Sequence, residues 1–225
     1  MNLNLDIGYL IDVIPTLLPF IPLTLILAIV SMIIAVIAGL VLALILRSDI
    51  PVLKQLATIY VSFFRAIPTL VQLFLIYYGL PQIFPALAGM TAIAAAIIGL
   101  SLKQAAYLAE IFRAGLGSVD KGQVEACLSV GMTRAQAFRR VVLPQATRNA
   151  IPATGNIFIG LIKETSLAFT LGVVELFAQG KILAASSLRF FETYLALALI
   201  YWIMIIIYTF IQQAIERRLE KPYLS

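Results

Sequence analysis

From Leu17 to Leu46 the chain carries no charged side chain, and the run stops at Arg47. About 20 apolar residues suffice to cross roughly 30 Å of hydrocarbon as a helix. Nothing in that medium can bond a bare N–H or C=O, so a lone apolar segment must satisfy its backbone internally. Four further apolar segments are long enough to cross although each holds one or more charges, over about Leu56–Leu80, Ala86–Leu116, Ala146–Val174 and Phe190–Ile211. Of the 225 residues 62% are hydrophobic. The mean hydropathy of +1.02 is far above that of a soluble globule. With no internal repeat or low-complexity linker, the sequence predicts an all-α membrane protein: one membrane domain over residues 1–225 with five transmembrane helices.

The charges sort by side. Arg47 and Lys54 lie between the first and second spans, and Arg113, Lys121, Arg134, Arg139, Arg140 and Arg148 lie between the third and fourth or at their facing ends. Arg217, Arg218 and Lys221 follow the fifth. The opposite loops hold Asp6, Asp12 and Glu175 with only Lys181 and Arg189. Cytoplasmic loops are the ones enriched in Lys and Arg, which puts the N-terminus outside and the C-terminus inside. The net charge of +5 is thereby explained as topology. No basic helix offers a polar face large enough for a duplex, so the expected surroundings are a lipid bilayer and no nucleic acid. Residues 1–14 contain no Lys or Arg, unlike a signal peptide, and the N-terminal segment is read as retained. Three outer elements are expected: an interfacial helix over Asp6–Ile14, a tight turn over Gly79–Ala88 with Pro81 and Pro85, and a Gly172–Arg189 loop with a short surface helix.

Several chemistries are excluded. A single cysteine, Cys127, and no histidine leave no internal disulfide, no Cys/His metal site and no Ser-His or Cys-His nucleophile. A Walker A loop is also missing. Gly180-Lys181 is followed by Ile182, and Glu175 stands where the first glycine should be. No catalytic residue, metal or cofactor is expected, and ATP is not hydrolysed by that route.

Between the third and fourth spans sits a basic insert built to bend. Gln123–Val130 and Arg134–Val142 are each helical material, and Gly131 between them permits a left-handed turn. Thr133 is placed to cap the second helix, with Gln136 positioned for the reciprocal contact. Pro144 then reads as the first turn of the next helix, where its missing N–H costs nothing. Taken bare, such a loop need only hold topology and meet lipid headgroups.

Its spacing says more. Glu125-Ala126-Cys127, three residues, Gly131, nine residues, Val141, one residue and Leu143-Pro144 resemble the EAA loop of bacterial ABC importer permeases. Cys127 replaces the usual third alanine and Val141 the usual isoleucine. In that family the loop is a coupling helix that docks on the ATP-binding subunit, which implies coupling roles for Glu125, Ala126, Cys127, Gly131, Leu143 and Pro144. The runs Phe64–Pro68, Leu70–Phe74, Tyr77–Pro81, Ala105–Glu110 with Arg113, Leu143–Ala146 and Lys163–Leu167 resemble those of the polar amino-acid permeases of the histidine, glutamine, arginine and cystine type. The likeness covers roughly residues 15–215. It implies the type I ABC importer (MetI-like) fold in a bacterial cytoplasmic membrane. It further implies an ATP-binding cassette ATPase subunit, an extracytoplasmic solute-binding protein, and a second permease copy or similar chain as partners, with an amino acid as substrate.

Polar residues inside spans cost a few kcal/mol each on insertion scales, so they normally face protein or water. Asn156, Gly160 and Glu164 recur at helical spacing on the fourth span, and Lys163 falls seven residues after Asn156. Lys163 and Glu164, adjacent and so about 100° apart, diverge and could meet the carboxylate and ammonium of a zwitterion. Thr165 and Ser166 would add hydroxyls along the same solute path. Lys103 is open to two readings, a substrate carboxylate or a structural pair with Glu110 or a neighbouring acid, the second favoured; Gln104 is equally open. Glu110 and Arg113 are expected to bridge helices. Arg65 is expected to satisfy carbonyls freed by a kink at Pro68. Thr69 and Gln72 on that kinked stretch are candidate path groups. Tyr77, Tyr78, Tyr194, Trp202 and Tyr208 read as interfacial or packing residues. The alternative, a secondary transporter or channel subunit, accounts for the buried charges but leaves the EAA-like loop unexplained.

Overall fold

The computed structural model describes residues 5–220, and all regular structure within them is helical. In chain order the helices are α1 (Ile7–Leu17), α2 (Ile21–Leu46), α3 (Pro51–Ala66), α4 (Thr69–Phe74), α5 (Leu80–Ile83), α6 (Ala92–Gly117), α7 (Lys121–Ser129), α8 (Arg134–Ala137), α9 (Leu143–Glu164), α10 (Leu176–Ser187) and α11 (Phe190–Glu220). Among the described residues three helical stretches are long and apolar enough to cross a membrane: Ile7–Leu46, Ala92–Gly117 and Phe190–Leu219. The number rises to five if each of two sharply bent pairs counts as a span. Lys221, one of the cations assigned above to the inner side, lies outside the described residues.

The chain divides into two compact units. The first comprises the residues up to Met32 together with Pro68–Ser101 and Ile159–Thr209; the second comprises Ile33–Ile67, Leu102–Phe158 and the residues from Phe210 onward. In both, many of the buried residues are small, while a long set of large apolar ones is exposed, unlike a soluble globule. Ala28, Ala35, Ala43, Ala95, Ala105, Ala106, Ala109 and Ala196 are buried, whereas Ile33, Ile37, Val41, Leu44, Trp202, Ile207 and Phe210 face outward. Lipid tails are as apolar as leucine, so helices gain little by burying leucine and associate where small side chains let backbones approach. In the second unit Gly39 of α2 does this: a Cβ there would stand 2.8 Å from the Leu108 Cβ and 3.1 Å from the Ala105 carbonyl oxygen. Beside that contact, Leu46, Ala57, Val61, Ala106 and Ala109 pack α2, α3 and α6 together. The Tyr60 hydroxyl, donating to the Leu102 carbonyl at 2.8 Å, fixes the register of α3 on α6.

The first unit is closed at one end by polar contacts. Asp6 caps α1 by accepting from the Tyr9 N–H at 2.9 Å. Arg189 lies 3.3 Å from Asp6 and 3.6 Å from Glu192, and the Tyr9 hydroxyl donates to Ser187 at 2.8 Å. Beneath them Val13 and Leu17 pack on Leu176, Ala196, Leu197 and Ile200. The expected interfacial helix over Asp6–Ile14 is therefore part of the first long helix. One 3-10 turn, Leu18–Phe20, joins α1 to α2, and the stretch is continuous from Ile7 to Leu46. The Gly172–Arg189 segment departs in the same direction. Its helix α10 buries Leu176, Ala178, Gly180 and Ala184 rather than lying on the surface.

The second expected span is not a kinked helix. After Ile67–Pro68 the chain turns by 112° between α3 and the helical stretch Thr69–Ile83. Proline restricts the residue before it to extended backbone, and Ile67 has φ −88°, ψ 138°. A kink keeps the helix axis roughly in line; an extended residue between two helices redirects it.

Small-residue packing makes a clear prediction. A Cβ on Gly180 would lie 2.3 Å from Leu197 Cδ1, whereas one on Gly89 would meet nothing within 4 Å. Gly180→Val should destabilise the protein by about 1–3 kcal/mol through overpacking. The thermal midpoint in detergent, followed by Trp202 fluorescence, should fall for Gly180→Val and hold for Gly89→Ala.

Candidate functional site

The basic insert, wholly within the second unit, folds as a braced elbow. Asp120 opens α7 by accepting from the Gly122 N–H at 2.7 Å. The helix closes with two bonds, Gly131 N–H to the Leu128 carbonyl and Met132 N–H to the Cys127 carbonyl, both 3.0 Å. Gly131 itself sits at φ +84°. This is the Schellman arrangement, in which a left-handed residue satisfies the last carbonyls of a helix. Two residues on, the expected capping box is formed: Gln136 N–H donates to Thr133 Oγ1 at 3.2 Å, and Thr133 N–H to Gln136 Oε1 at 2.8 Å. Both ends of the bend are thus locked by local bonds.

The return to the membrane differs from the expected fresh start at Pro144. Helix α8 runs through a π turn, Phe138–Val142, directly into α9, where the Leu143 N–H reaches the Phe138 carbonyl. Pro144 lacks an N–H and its ring crowds the carbonyl four residues back; a π turn just upstream accommodates it without ending the helix. The segment Arg134–Leu171 is one helical stretch. The elbow is anchored to it by Gln145 and Asn149 of α9, whose amides donate to Gln123 and Ser118. Leu116, Val142 and Ala146, with Val119 and Val124 against them, form the apolar floor.

The coupling candidates split into two groups. Glu125, Ala126, Gly131, Leu143 and Pro144 are exposed, while Cys127 is 9% exposed and turned inward. Next to Glu125 opens a cleft of about 410 Å³ whose walls include Arg47, Lys121, Arg134, Phe138 and Val142.

Among the solute-path candidates, Lys103, Gln104 and Asn156 belong to the second unit. Gln104 is buried, Lys103 half-buried and Asn156 exposed. Glu110 is engaged by Arg113, at 2.6 Å from Nη2 and 3.1 Å from Nε. That pair lies within α6, so it does not bridge helices, and the Lys103–Glu110 pair is not formed. Lys103 Nζ lies 5.8 Å from the centre of the Tyr107 ring, and the Arg65 guanidinium carbon 5.4 Å from the same centre. Arg65 does not bond the carbonyls around Pro68.

Thr69, Gln72, Gly160, Lys163, Glu164, Thr165 and Ser166 belong to the first unit. Thr69 and Gln72 are buried on α4, which packs on the 3-10 segment Thr165–Leu171. Thr165 is fully buried, and its hydroxyl donates to the Ile162 carbonyl; that of Ser166 donates to the Lys163 carbonyl, both at 2.7 Å. Each hydroxyl proton is therefore spent on the helix end; the half-buried Ser166 keeps an oxygen that can accept a further hydrogen bond, whereas that of Thr165 is closed off. Lys163 is exposed, Glu164 half-buried, and Gly160 has open space where a Cβ would be.

One buried group escaped the sequence reading. Glu175, taken for a loop charge, is fully buried. It caps α10 by accepting from Phe177 and Ala178 N–H at 3.0 and 2.9 Å, and it accepts from the Thr24 hydroxyl at 3.2 Å and the Tyr201 hydroxyl at 3.4 Å. The available signal was an acidic residue directly before an apolar helical run.

Residues 35–221 match the family of binding-protein-dependent transport system inner membrane components. The chain belongs to that family. Over 98% of both chains it is 65% identical to a Bacillus subtilis protein named as a probable amino-acid permease. To the L-cystine transport system permease TcyL of the same organism it is 41% identical, over 98% of this chain and 94% of that one. A crystal structure of an amino-acid ABC transporter with histidines superposes at a TM-score of 0.86 with 38% identity, covering 96% of this chain and all of the other. The fold is that of the type I importers (MetI-like). The protein is a multi-pass membrane permease of the amino-acid ABC transporter family, a transport subunit with no ATPase of its own; ATP hydrolysis falls to a separate subunit.

The elbow's bracing is separable. Thr133→Ala should cost about 1 kcal/mol of local stability, the usual value of a lost N-cap. Gly131→Val should cost at least as much, because a β-branched side chain resists positive φ. Amide hydrogen exchange over residues 121–142 should speed up in both variants, while α11 is unaffected.

Proposed function

We propose that this chain is the permease subunit of a bacterial importer for polar amino acids, with cystine, glutamine, arginine and histidine as the candidate solutes. The observation that carries the reading is the braced elbow, which presents Glu125 and Ala126 to solvent beside a cation-rimmed cleft. A loop that only held topology would need neither a Schellman turn nor a capping box to fix its shape. The named substrates of relatives such as TcyL support the solute class.

In this reading the whole chain is one permease domain of five spans in the cytoplasmic membrane, the two bent pairs each completing one span. The elbow and the C-terminal cations Arg217 and Arg218 face the cytoplasm, and Asp6 faces outside. A five-span chain cannot enclose a path by itself, so a second copy or a similar chain pairs with it. An extracytoplasmic binding protein delivers the solute. Two ATPase subunits dock on the elbows; ATP draws them together, the elbows follow, and the path opens outward, while ADP release returns it inward. Glu125, Ala126, Gly131, Leu143 and Pro144 carry the docking surface. Cys127 supports it from beneath. Thr69, Gln72, Lys103, Gln104, Asn156, Gly160, Lys163, Glu164, Thr165 and Ser166 supply the polar groups that the solute passes.

Reconstitution tests this directly. The chain, assembled in proteoliposomes with its ATPase and binding protein, should take up one of these amino acids only when ATP and the loaded binding protein are both present. Uptake without ATP would place it among secondary transporters. Glu125→Arg should lower ATP-driven uptake at least tenfold by weakening ATPase docking, read as loss of co-purification. Lys163→Gln and Glu164→Gln should each slow uptake or alter solute preference; wild-type behaviour in both would remove that pair from the path.

A further inference from the structure

Two hollows in the second unit meet at one side chain. The cleft of about 410 Å³ beside the elbow carries three cations in its wall: Arg47 just past α2, Lys121 at the start of α7 and Arg134 at the start of α8. All three are exposed, and among the described residues none of their side chains makes an ion pair or a hydrogen bond. Glu125 is the one carboxylate in that wall, and it pairs with none of them. The second hollow is a groove of about 320 Å³ between α2, α6 and α9, walled by Leu40, Phe112, Ala150 and Ile151 among others. Its only polar side chains are Thr147 and Thr154, and the Thr154 hydroxyl is spent on the Ala150 carbonyl at 2.9 Å. Leu116 lines both hollows, and the consecutive Val142 and Leu143 line one each.

Their levels restrict the occupant. The charge-free run Leu17–Leu46 is thirty residues long, about 45 Å of helix at roughly 1.5 Å per residue. A bilayer with its headgroups measures about 40–45 Å, so Arg47 emerges at the headgroup layer. Leu40 lies seven residues before it, about 10 Å back into the apolar run. The cationic cleft therefore stands at headgroup level and the groove at hydrocarbon level. A free anion would fill the cleft and leave the groove empty. A soluble protein arriving from water would do the same. A molecule with a phosphate at one end and a hydrocarbon chain at the other matches both. Arginine grips phosphate through two parallel bonds and lysine adds a point charge. Basic pockets between membrane helices hold anionic headgroups in this way. Three cations against one carboxylate leave a positive balance that a zwitterionic headgroup does not neutralise.

We infer that the two hollows together bind one anionic phospholipid, with its phosphate among Arg47, Lys121 and Arg134 and an acyl chain in the groove between α2, α6 and α9. The site requires only that the chain span a bilayer, so it stands or falls separately from the import reading. A lipid held there touches α7 and α8 as well as α2, which seats the elbow on the membrane surface as well as on α9.

The test uses the full chain, purified in detergent and stripped of native lipid. It is titrated with phosphatidylglycerol and with phosphatidylcholine of the same acyl chains, and bound lipid is read by native mass spectrometry. Wild type should bind phosphatidylglycerol roughly tenfold or more tightly than phosphatidylcholine. Arg47→Gln with Lys121→Gln should remove that preference and leave phosphatidylcholine binding unchanged. Thr147→Phe should weaken both lipids alike by filling the groove. Arg139→Gln with Arg140→Gln removes two exposed elbow cations that line neither hollow, and should change nothing. A preference that survives the first pair overturns the site. So does an equal loss in the second pair, the signature of diffuse surface charge. Glycerophosphoglycerol, the headgroup without its chains, should bind far more weakly; equal binding would reduce the site to a simple anion site. Displacement of the lipid on adding the ATPase subunit would give the cleft to that subunit instead. Should the first pair fail to fold, no preference in wild type, or unchanged affinities in Thr147→Phe, overturns the site as well. ATP-driven uptake in the reconstituted system, with any of these failures, leaves the import reading standing and removes the lipid site alone.

Discussion

At both sharp bends of the described helices, backbone groups freed by the break find partners inside the chain. Hydrocarbon offers none, so the fold can change direction only where that condition holds. At the first break the Ile67 N–H still reaches the Phe63 carbonyl, and the Gln72 N–H reaches that of Pro68. At the second, Gly172 and Val173 bond back to Phe169 and Ala168, and the Glu175 carboxylate takes up two of the amides that open α10. The left-handed Gly172, at φ +91°, makes this 57° bend possible without a Cβ in the way. Glu175 then serves a second purpose. Its contacts with Thr24 and Tyr201 join α10 to α2 and α11 inside the first unit, so the residue that ends one break also pins the helix that follows it.

The elbow answers a different problem. Most of its residues are exposed, and wherever water reaches them it would satisfy the backbone of a loose loop. Here the turn is held by a Schellman closure on one side of Gly131 and a reciprocal cap on the other, and it continues through a π turn into a membrane helix with no joint between Arg134 and Leu171. Conformational freedom that a partner would otherwise have to remove has already been removed.

Much of this was legible in the residues, and the limits are instructive. Apolar run length reported the membrane helices because hydrocarbon thickness sets it. Gly131, Thr133 and Gln136 reported the bend because those contacts are local, within a few residues of chain. Direction was harder to read. The turn after Ile67, the burial of α10 and the merging of α1 with α2 all depend on what the segment packs against, and hydropathy is blind to that. Glu175 looked like a solvated loop charge because its partners Thr24 and Tyr201 are remote in sequence. Arg65 and Lys103 were each weighed against carbonyls or Glu110; only the fold brought both to Tyr107.

The inward turn of the sole cysteine has a practical side. Cys127 is the one thiol in the sequence and is nearly closed to solvent, although it occupies the middle of the EAA-like motif. Its neighbours Ala126 and Ser129 are exposed on the same helix. Maleimide probes introduced at either neighbour would thus report from an almost silent background, and the motion of the elbow could be followed by spectroscopy without first stripping the natural side chain from its heart.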